Sequence, residues 1–223
     1  MPPFLCRRER RAWAFLLAAL CLVVYANGMT GTFTYDDKAI IRDNPRIRTP
    51  SRVGEIFTTS YFGGPRGSGS AYRPILLLSY AAQWWIHGRV PEAFHLVNVL
   101  LHIGATLLLG GVLLRARVPP SAAALATLFF AVAPIHVEAV TSLVGRGETL
   151  AAVFSLAFLF VALGAGEETP RAGRVLAALL CYGLGILTKE SAAVAPGLLF
   201  LVLAYRESGT LVSRFAAAWR RGW

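Results

Sequence analysis

The apolar residues of this chain come in long unbroken blocks, and no other feature limits its fold so sharply. A helix on the surface of a soluble protein alternates apolar and polar faces, whereas a block that is apolar all round has no face to show to water. Such blocks occupy residues 12–27, 93–114, 121–134, 149–165, 175–188 and 191–205, and are rich in Leu, Ala, Val and Phe. A helix rises about 1.5 Å per residue and the hydrocarbon core of a bilayer is about 30 Å thick, so about 20 apolar residues cross it. The chain is 56% hydrophobic, above the roughly 45–50% of globular domains. The blocks predict an all-α integral membrane protein of about six transmembrane helices. Its multi-pass chain belongs in a bacterial inner membrane, or in the endoplasmic reticulum membrane of a eukaryote.

The net charge of +10 does not point to nucleic acid, because the arginines cluster at block ends, where they anchor and orient helices. Placing residues 1–11 in the cytoplasm as a basic tail gives span 1 at 12–27, an external region at 28–92, spans 2–6 within 93–205, and a second basic tail at 206–223. Twelve arginines then face the cytoplasm: Arg7, Arg8, Arg10, Arg11, Arg115, Arg117, Arg171, Arg174, Arg206, Arg214, Arg220 and Arg221. The two short external hairpins hold one cation each, Arg146 and Lys189. This is the asymmetry of the positive-inside rule. Val24-Tyr25-Ala26 is also a passable signal-peptidase site, and cleavage there leaves residue 28 onward outside just the same.

The apolar stretch 74–87 is too short to span. Fourteen residues rise about 21 Å, and Ser79, Gln83 and His87 share one face. Trp84 and Trp85 suit a membrane surface. It is expected to be an amphipathic helix lying on the outer interface. Residues 63–70 read as a flexible Gly/Ser linker. Cys6, Cys21 and Cys181 lie in no external loop, so no disulfide framework is implied.

Polar residues that the blocks leave at the outer face are the candidates for chemistry. Asp36 and Asp37 are adjacent carboxylates, suited to a general base or to holding a cation; a solvated turn is the plain alternative. His95, Asn98 and His102 form one stripe of span 2, either functional or bonded between helices. His136 and Glu138 have no metal-ligand spacing, and a divalent metal is not expected. Gly145-Arg146-Gly147-Glu148 forms a hairpin that precedes span 4, where a helix N-terminus and a nearby arginine suit a phosphate. Lys189-Glu190 is an internal ion pair or a second phosphate contact, and Arg73 either anchors the 74–87 helix or also reaches a phosphate. Acids that activate a hydroxyl and cations that hold a phosphate thus converge at one face.

These motifs carry a resemblance. Asn27-Gly28, Tyr35-Asp36-Asp37, Asn44-Pro45, Tyr72-Arg73-Pro74, Phe94-His95-Leu96-Val97-Asn98, Pro134-Ile135-His136-Val137-Glu138, Gly145-Arg146 and Lys189-Glu190 follow in an order that resembles a known membrane family. It is that of the transmembrane and tetratricopeptide repeat-containing O-mannosyltransferases and their bacterial relatives, within the GT-C glycosyltransferase superfamily. The resemblance covers residues 15–205 and implies a partial GT-C-like fold. It implies a polyprenyl- or dolichyl-phosphate sugar as donor, an acceptor hydroxyl on a polypeptide or glycan, and an acid of the first external loop as catalytic base. That acid is Asp36 or Asp37. The donor-phosphate and substrate candidates are Arg73, His95, Asn98, His136, Glu138, Arg146, Glu148, Lys189 and Glu190. Ala133, Gly147-Glu148 and the Gly-Ser-Gly-Ser-Ala run depart from the family pattern. The chain ends after about six spans without the family's helical repeats, so it reads as a fragment. The alternatives are a non-catalytic scaffold or lipid-carrier-binding module and, less well supported, a transporter subunit, whose site belongs near the midplane.

Overall fold

A computed structural model describes residues 7–65, 71–164, 172–207 and 213. Most of both tails, the end of the 63–70 linker, and the expected loop containing Glu167, Glu168, Pro170 and Arg171 lie outside the described residues. The described residues are helical and contain no strand. The helices are α1 (Arg7–Val24), α2 (Pro45–Arg48), α3 (Pro74–His87), α4 (Pro91–Arg115), α5 (Pro120–Val132), α6 (Val137–Thr141), α7 (Arg146–Leu163), α8 (Ala172–Thr188) and α9 (Ala195–Arg206).

Local chemistry sets the boundaries. Proline opens α3, α4 and α5, where its missing N–H costs nothing. Glu92 in the first turn of α4 and Arg115 in its last complement the helix dipole. α5 stops at Val132 because Pro134 forces Ala133 into an extended conformation. After α7 the chain turns at Gly164, whose φ of +57° disfavours any side chain.

Six apolar helices therefore stand where six blocks were expected, but six crossings do not follow. By length and composition, among the described residues, α4 and α7 are the two helices long and apolar enough to cross a membrane. A third appears only if α5 is joined to residues 134–141 across a 47° bend. α8 has 17 residues and α9 has 12, so α9 rises only about 18 Å as a straight helix. The blocks were counted as apolar residues. The chain forms some of those residues as 3-10 turns, at 26–30 and 190–194, and so shortens the helices.

Three apolar clusters hold the molecule together. The first joins the 28–65 region to α3 and α4 through Phe33, Ile41, Ile47, Ile56, Leu77 and Phe94. The second packs α1 on α4, with Leu17, Tyr25, Val99 and Ala131. The third joins α4, α7, α8 and α9, with Val112, Phe158, Leu159 and Ala178. Outside them, α8 exposes Leu176, Leu179 and Leu180, as a helix does that faces hydrocarbon rather than water.

α3 takes the expected bounds, but its Ser79, Gln83 and His87 do not share one environment, since His87 alone of the three is exposed. Gln83 is buried, while Trp85 and Ile86 are exposed. The polar stripe was expected to face solvent. Instead Gln83 turns inward, because a buried guanidinium waits for its carbonyl (2.6 Å from Arg146 Nη2).

Candidate active-site cleft

The two adjacent aspartates part company. Tyr35, at φ +39°, turns the chain so that Asp37 points inward and Asp36 outward. Asp37 is buried. Its Oδ2 accepts the backbone N–H of Thr34 at 3.0 Å and the Thr34 hydroxyl at 3.2 Å, and its Oδ1 accepts the N–H of Val144 at 3.0 Å. Three donors leave this carboxylate little capacity for another role. Asp36 is exposed and lines an open cleft of about 600 Å³.

The cleft gathers residues from four distant parts of the chain. Tyr61, Phe62 and Arg73 come from the first loop region, His136, Glu138 and Ser142 from the segment between α5 and α7, Glu148 from the start of α7, and Lys189 from the turn after α8. Each cation in it already has an acid. Arg73 grips Glu190 with Nη2 at 2.5 Å and Nε at 3.1 Å, and Lys189 pairs with Glu148. Adjacent residues Lys189 and Glu190 thus tie one turn to two different helices, α7 and α3. The Arg73 guanidinium pulls the Glu190 carboxyl down to about 2 and is itself pushed up by that contact. Burial pushes the Tyr61 phenol up to about 12, so it remains a hydrogen-bond donor at any ordinary pH.

A second, mostly apolar hollow of about 210 Å³ adjoins the cleft and shares His136, Ala139 and Glu148 with it. His102, Ala105, Phe130 and Val140 line its inner part. His136 stands at the junction, with its ring 4.3 Å from that of Phe130 and 5.3 Å from that of His102.

The remaining expected residues serve elsewhere. Arg146 does not line the cleft; it is 1% exposed. Its Nε donates to Asn98 Oδ1 at 2.9 Å, and its Nη2 donates to Gln83 Oε1 at 2.6 Å and to the Phe94 carbonyl at 3.2 Å. Its guanidinium lies 4.6 Å from the Tyr80 ring centroid. Arg146 was read as sitting in a hairpin before span 4. It is instead the first residue of α7, and helical periodicity turns it toward α3 and α4. Asn98 spends both ends of its amide, accepting from Arg146 and donating to the Ser142 carbonyl at 2.8 Å. His95 is buried and packs against Gly31, where a Cβ would come within 2.8 Å of its Nε2. His102 bonds the carbonyl of Ala131 at 3.2 Å. These residues hold the cleft's walls rather than its contents. Gly145 fits the same scheme, since a Cβ there would meet the carbonyl oxygens of Glu138 and Ala139 at 2.7 Å.

Tyr61, Phe62 and Ser142 were not anticipated. Tyr61-Phe62 before Gly63-Gly64 was the available signal, an aromatic pair entering a turn. Among the described residues no group of three or more His, Cys, Asp or Glu side chains is placed to hold a metal.

Comparison with known proteins agrees with the motifs. No family model matches the chain, and no solved structure matches it. Curated sequences do. Protein O-mannosyl-transferase Tmtc3 of Drosophila melanogaster is 33% identical over 80% of this chain and 22% of its own length. Human protein O-mannosyl-transferase TMTC4 is 29% identical over 89% of the chain and 29% of its own length. Human TMTC1 is 38% identical over 66% and 17%. The chain thus spans less than a third of the length of these relatives. Over most of its own length, the chain is a relative of the TMTC family of protein O-mannosyl-transferases, matching an N-terminal part of them.

Proposed function

We propose that this chain forms the catalytic face of a membrane glycosyltransferase that moves a sugar from a polyprenyl- or dolichyl-phosphate donor to an acceptor hydroxyl. Mannose as the sugar and a protein as the acceptor are carried over from the relatives' names, protein O-mannosyl-transferase. The supporting observation is the cleft itself. The exposed carboxylate of Asp36 shares about 600 Å³ with two cations, Arg73 and Lys189, and with the carboxylates of Glu138 and Glu148.

The roles follow from the chemistry. Asp36 takes the proton of the acceptor hydroxyl as its oxygen attacks the anomeric carbon. The bond from that carbon to the phosphate oxygen breaks, and polyprenyl phosphate leaves with the electron pair. Attack opposite the leaving group inverts the anomeric centre. A positioned carboxylate base contributes typically about a hundred- to ten-thousand-fold. Arg73 and Lys189 exchange their carboxylate partners for the donor phosphate and stabilise the charge that grows on it. The apolar hollow beside His136 suits the first isoprene units. Asp37, Asn98 and Arg146 keep the walls in register.

In this reading the six apolar helices lie in the membrane, with the shorter ones completing their spans as part of a longer helical assembly. The cleft opens on the non-cytoplasmic face. The segments that line it all follow an odd-numbered span, or precede an even-numbered one, in the arginine-counted topology. The second reading, a non-catalytic lipid-carrier-binding module, keeps the same cleft without the base. Turnover of polyprenyl-phosphate mannose with a peptide acceptor, in membranes containing this chain, separates the two. Donor binding without sugar transfer would leave only the second.

A further inference from the structure

Two aromatic side chains in the cleft take no part in the scheme above. Phe62 is 63% exposed, yet its surroundings are not those of a lipid-facing residue. Asp36, Arg73, Glu138, Ser142 and Lys189 line the same cleft. An exposed ring among charged groups gains nothing from water or from hydrocarbon.

Its position is held firmly. Arg46 is buried beneath the turn. Its Nη1 donates to the Ser60 carbonyl at 2.8 Å and to the Thr59 hydroxyl at 2.7 Å, and its Nη2 donates to the Tyr61 carbonyl at 2.9 Å. The Tyr61 N–H donates to the Ala71 carbonyl at 2.7 Å. Gly63, at φ +95°, lets the chain reverse immediately after Phe62. The Phe62 ring stands edge-on to Tyr61, with centroids 4.9 Å apart and planes at 73°. On its other side, Tyr61 lies 5.2 Å from the Arg73 guanidinium. The wall therefore runs cation, phenol, phenyl, in a fixed order.

We propose that Phe62, braced by Tyr61, forms the platform that receives the sugar ring of the donor, with its phosphate toward Arg73 and its anomeric carbon toward Asp36. This rests on the donor reading given above. A hexose has an apolar C–H face and a rim of hydroxyls. Its apolar face packs on an aromatic ring, and its hydroxyls find polar partners. Glu138 and Ser142 are the acceptors and donors available in the same cleft. The Tyr61 hydroxyl, protonated throughout, donates to a sugar or phosphate oxygen. Pre-ordering by Arg46 spares the cost of fixing the rings on binding.

The test compares two ligands on one protein. Binding of polyprenyl-phosphate mannose and of bare polyprenyl phosphate is measured with the full chain in nanodiscs, for wild type, Phe62→Ala and Phe62→Trp. Phe62 is exposed, so its loss leaves the fold intact, which a thermal melt verifies. Phe62→Ala is expected to weaken the mannose-bearing ligand by about three- to tenfold and to leave the bare carrier unchanged. Phe62→Trp should keep the wild-type ratio. Equal weakening of both ligands would make Phe62 a bilayer anchor and overturn the platform, as would no change in either. Wild type binding neither ligand would instead sink the donor reading on which the platform rests.

Discussion

The Oδ1 of Asp37 accepts the backbone N–H of Val144 at 3.0 Å, across 107 positions of sequence. This bond fastens the loop region after α1 to the turn that leads into α7. The neighbouring Asp36 has no such duty and faces the cleft. A pair that looks alike in sequence is thus divided between a buried clasp and an exposed cleft wall.

The division predicts two different phenotypes. Asp36→Asn should fold and bind donor normally, while sugar transfer falls by about a hundred- to ten-thousand-fold, since asparagine cannot take the proton. Asp37→Asn should cost about 1–3 kcal/mol of stability, because its amide N–H₂ must face one of three donors. Melting temperature in detergent and turnover at saturating donor, measured side by side, decide this. A stable Asp37→Asn with no turnover, alongside an active Asp36→Asn, would reverse the assignment.

Arg146 makes a stronger structural prediction. Its guanidinium joins Asn98, Gln83 and the Phe94 carbonyl, with no carboxylate among these partners. Arg146→Ala leaves those buried acceptors without their donor and opens a cavity, at a cost of at least about 3 kcal/mol. Arg146→Lys should recover little, since one ammonium cannot span the same fork of acceptors. Both variants should lose stability before any loss of donor affinity can be read. An Arg146→Ala protein that melts like wild type but binds donor poorly would restore Arg146 to the phosphate.

Arg146 also shows what the sequence made legible and what it hid. The apolar blocks located six helices to within a few residues, since a block with no polar face permits little else. The cleft's Asp36, Arg73, His136, Glu138, Glu148 and Lys189 were all legible as polar residues stranded at one end of those blocks. What did not show was direction. One residue of helical register separates Arg146, turned into the core, from a side chain that would reach the cleft, and block edges are not known to one residue. Gln83 was hidden for a similar reason. In a soluble helix a polar residue of such a stripe marks the wet face, but beside a buried guanidinium Gln83 turns inward. The placement of Tyr61 and Phe62 went unread because their turn is fixed by Arg46, fourteen and fifteen positions from the carbonyls it binds.

The Arg73–Glu190 pair sets a pH window. The folded Glu190 titrates at about 2, below the roughly 4.3 of an unpaired glutamate. A carboxyl lowered by folding contributes fully above the unfolded value, and its contribution is lost as the pH falls through the folded one. The link between α3 and the turn after α8 should therefore persist from neutrality to about pH 4 and open between there and pH 2. An NMR titration of ¹³C-labelled glutamate, assigned with Glu190→Gln, follows it directly. A midpoint near 4.3 would mean that the pair is open in solution and that Arg73 stands free.

The membrane topology is the prediction on which the face of the chemistry depends. In the six-span reading, Tyr35 and His87 lie outside and Arg117, in the turn between α4 and α5, lies in the cytoplasm. Each side chain is exposed, so a cysteine there is reachable without disturbing the core. The cation count favours this orientation, with twelve arginines on the cytoplasmic side against Arg146 and Lys189 in the two short external hairpins; the other eight cations lie in the long external region, where the positive-inside rule speaks weakly. Among the described residues, α4, α7 and the bent α5–α6 pair reach spanning length. In a background with Cys6, Cys21 and Cys181 replaced, Tyr35→Cys and His87→Cys should react with an impermeant maleimide added to intact cells or sealed vesicles of the native orientation. Arg117→Cys should react only after permeabilisation. If position 87 is shielded while position 35 reacts, α3 crosses the membrane, and every later loop moves to the other face. Asp36 and Lys189 would then be separated by the bilayer, which the shared cleft forbids; the topology and the site therefore stand or fall on the same labelling pattern.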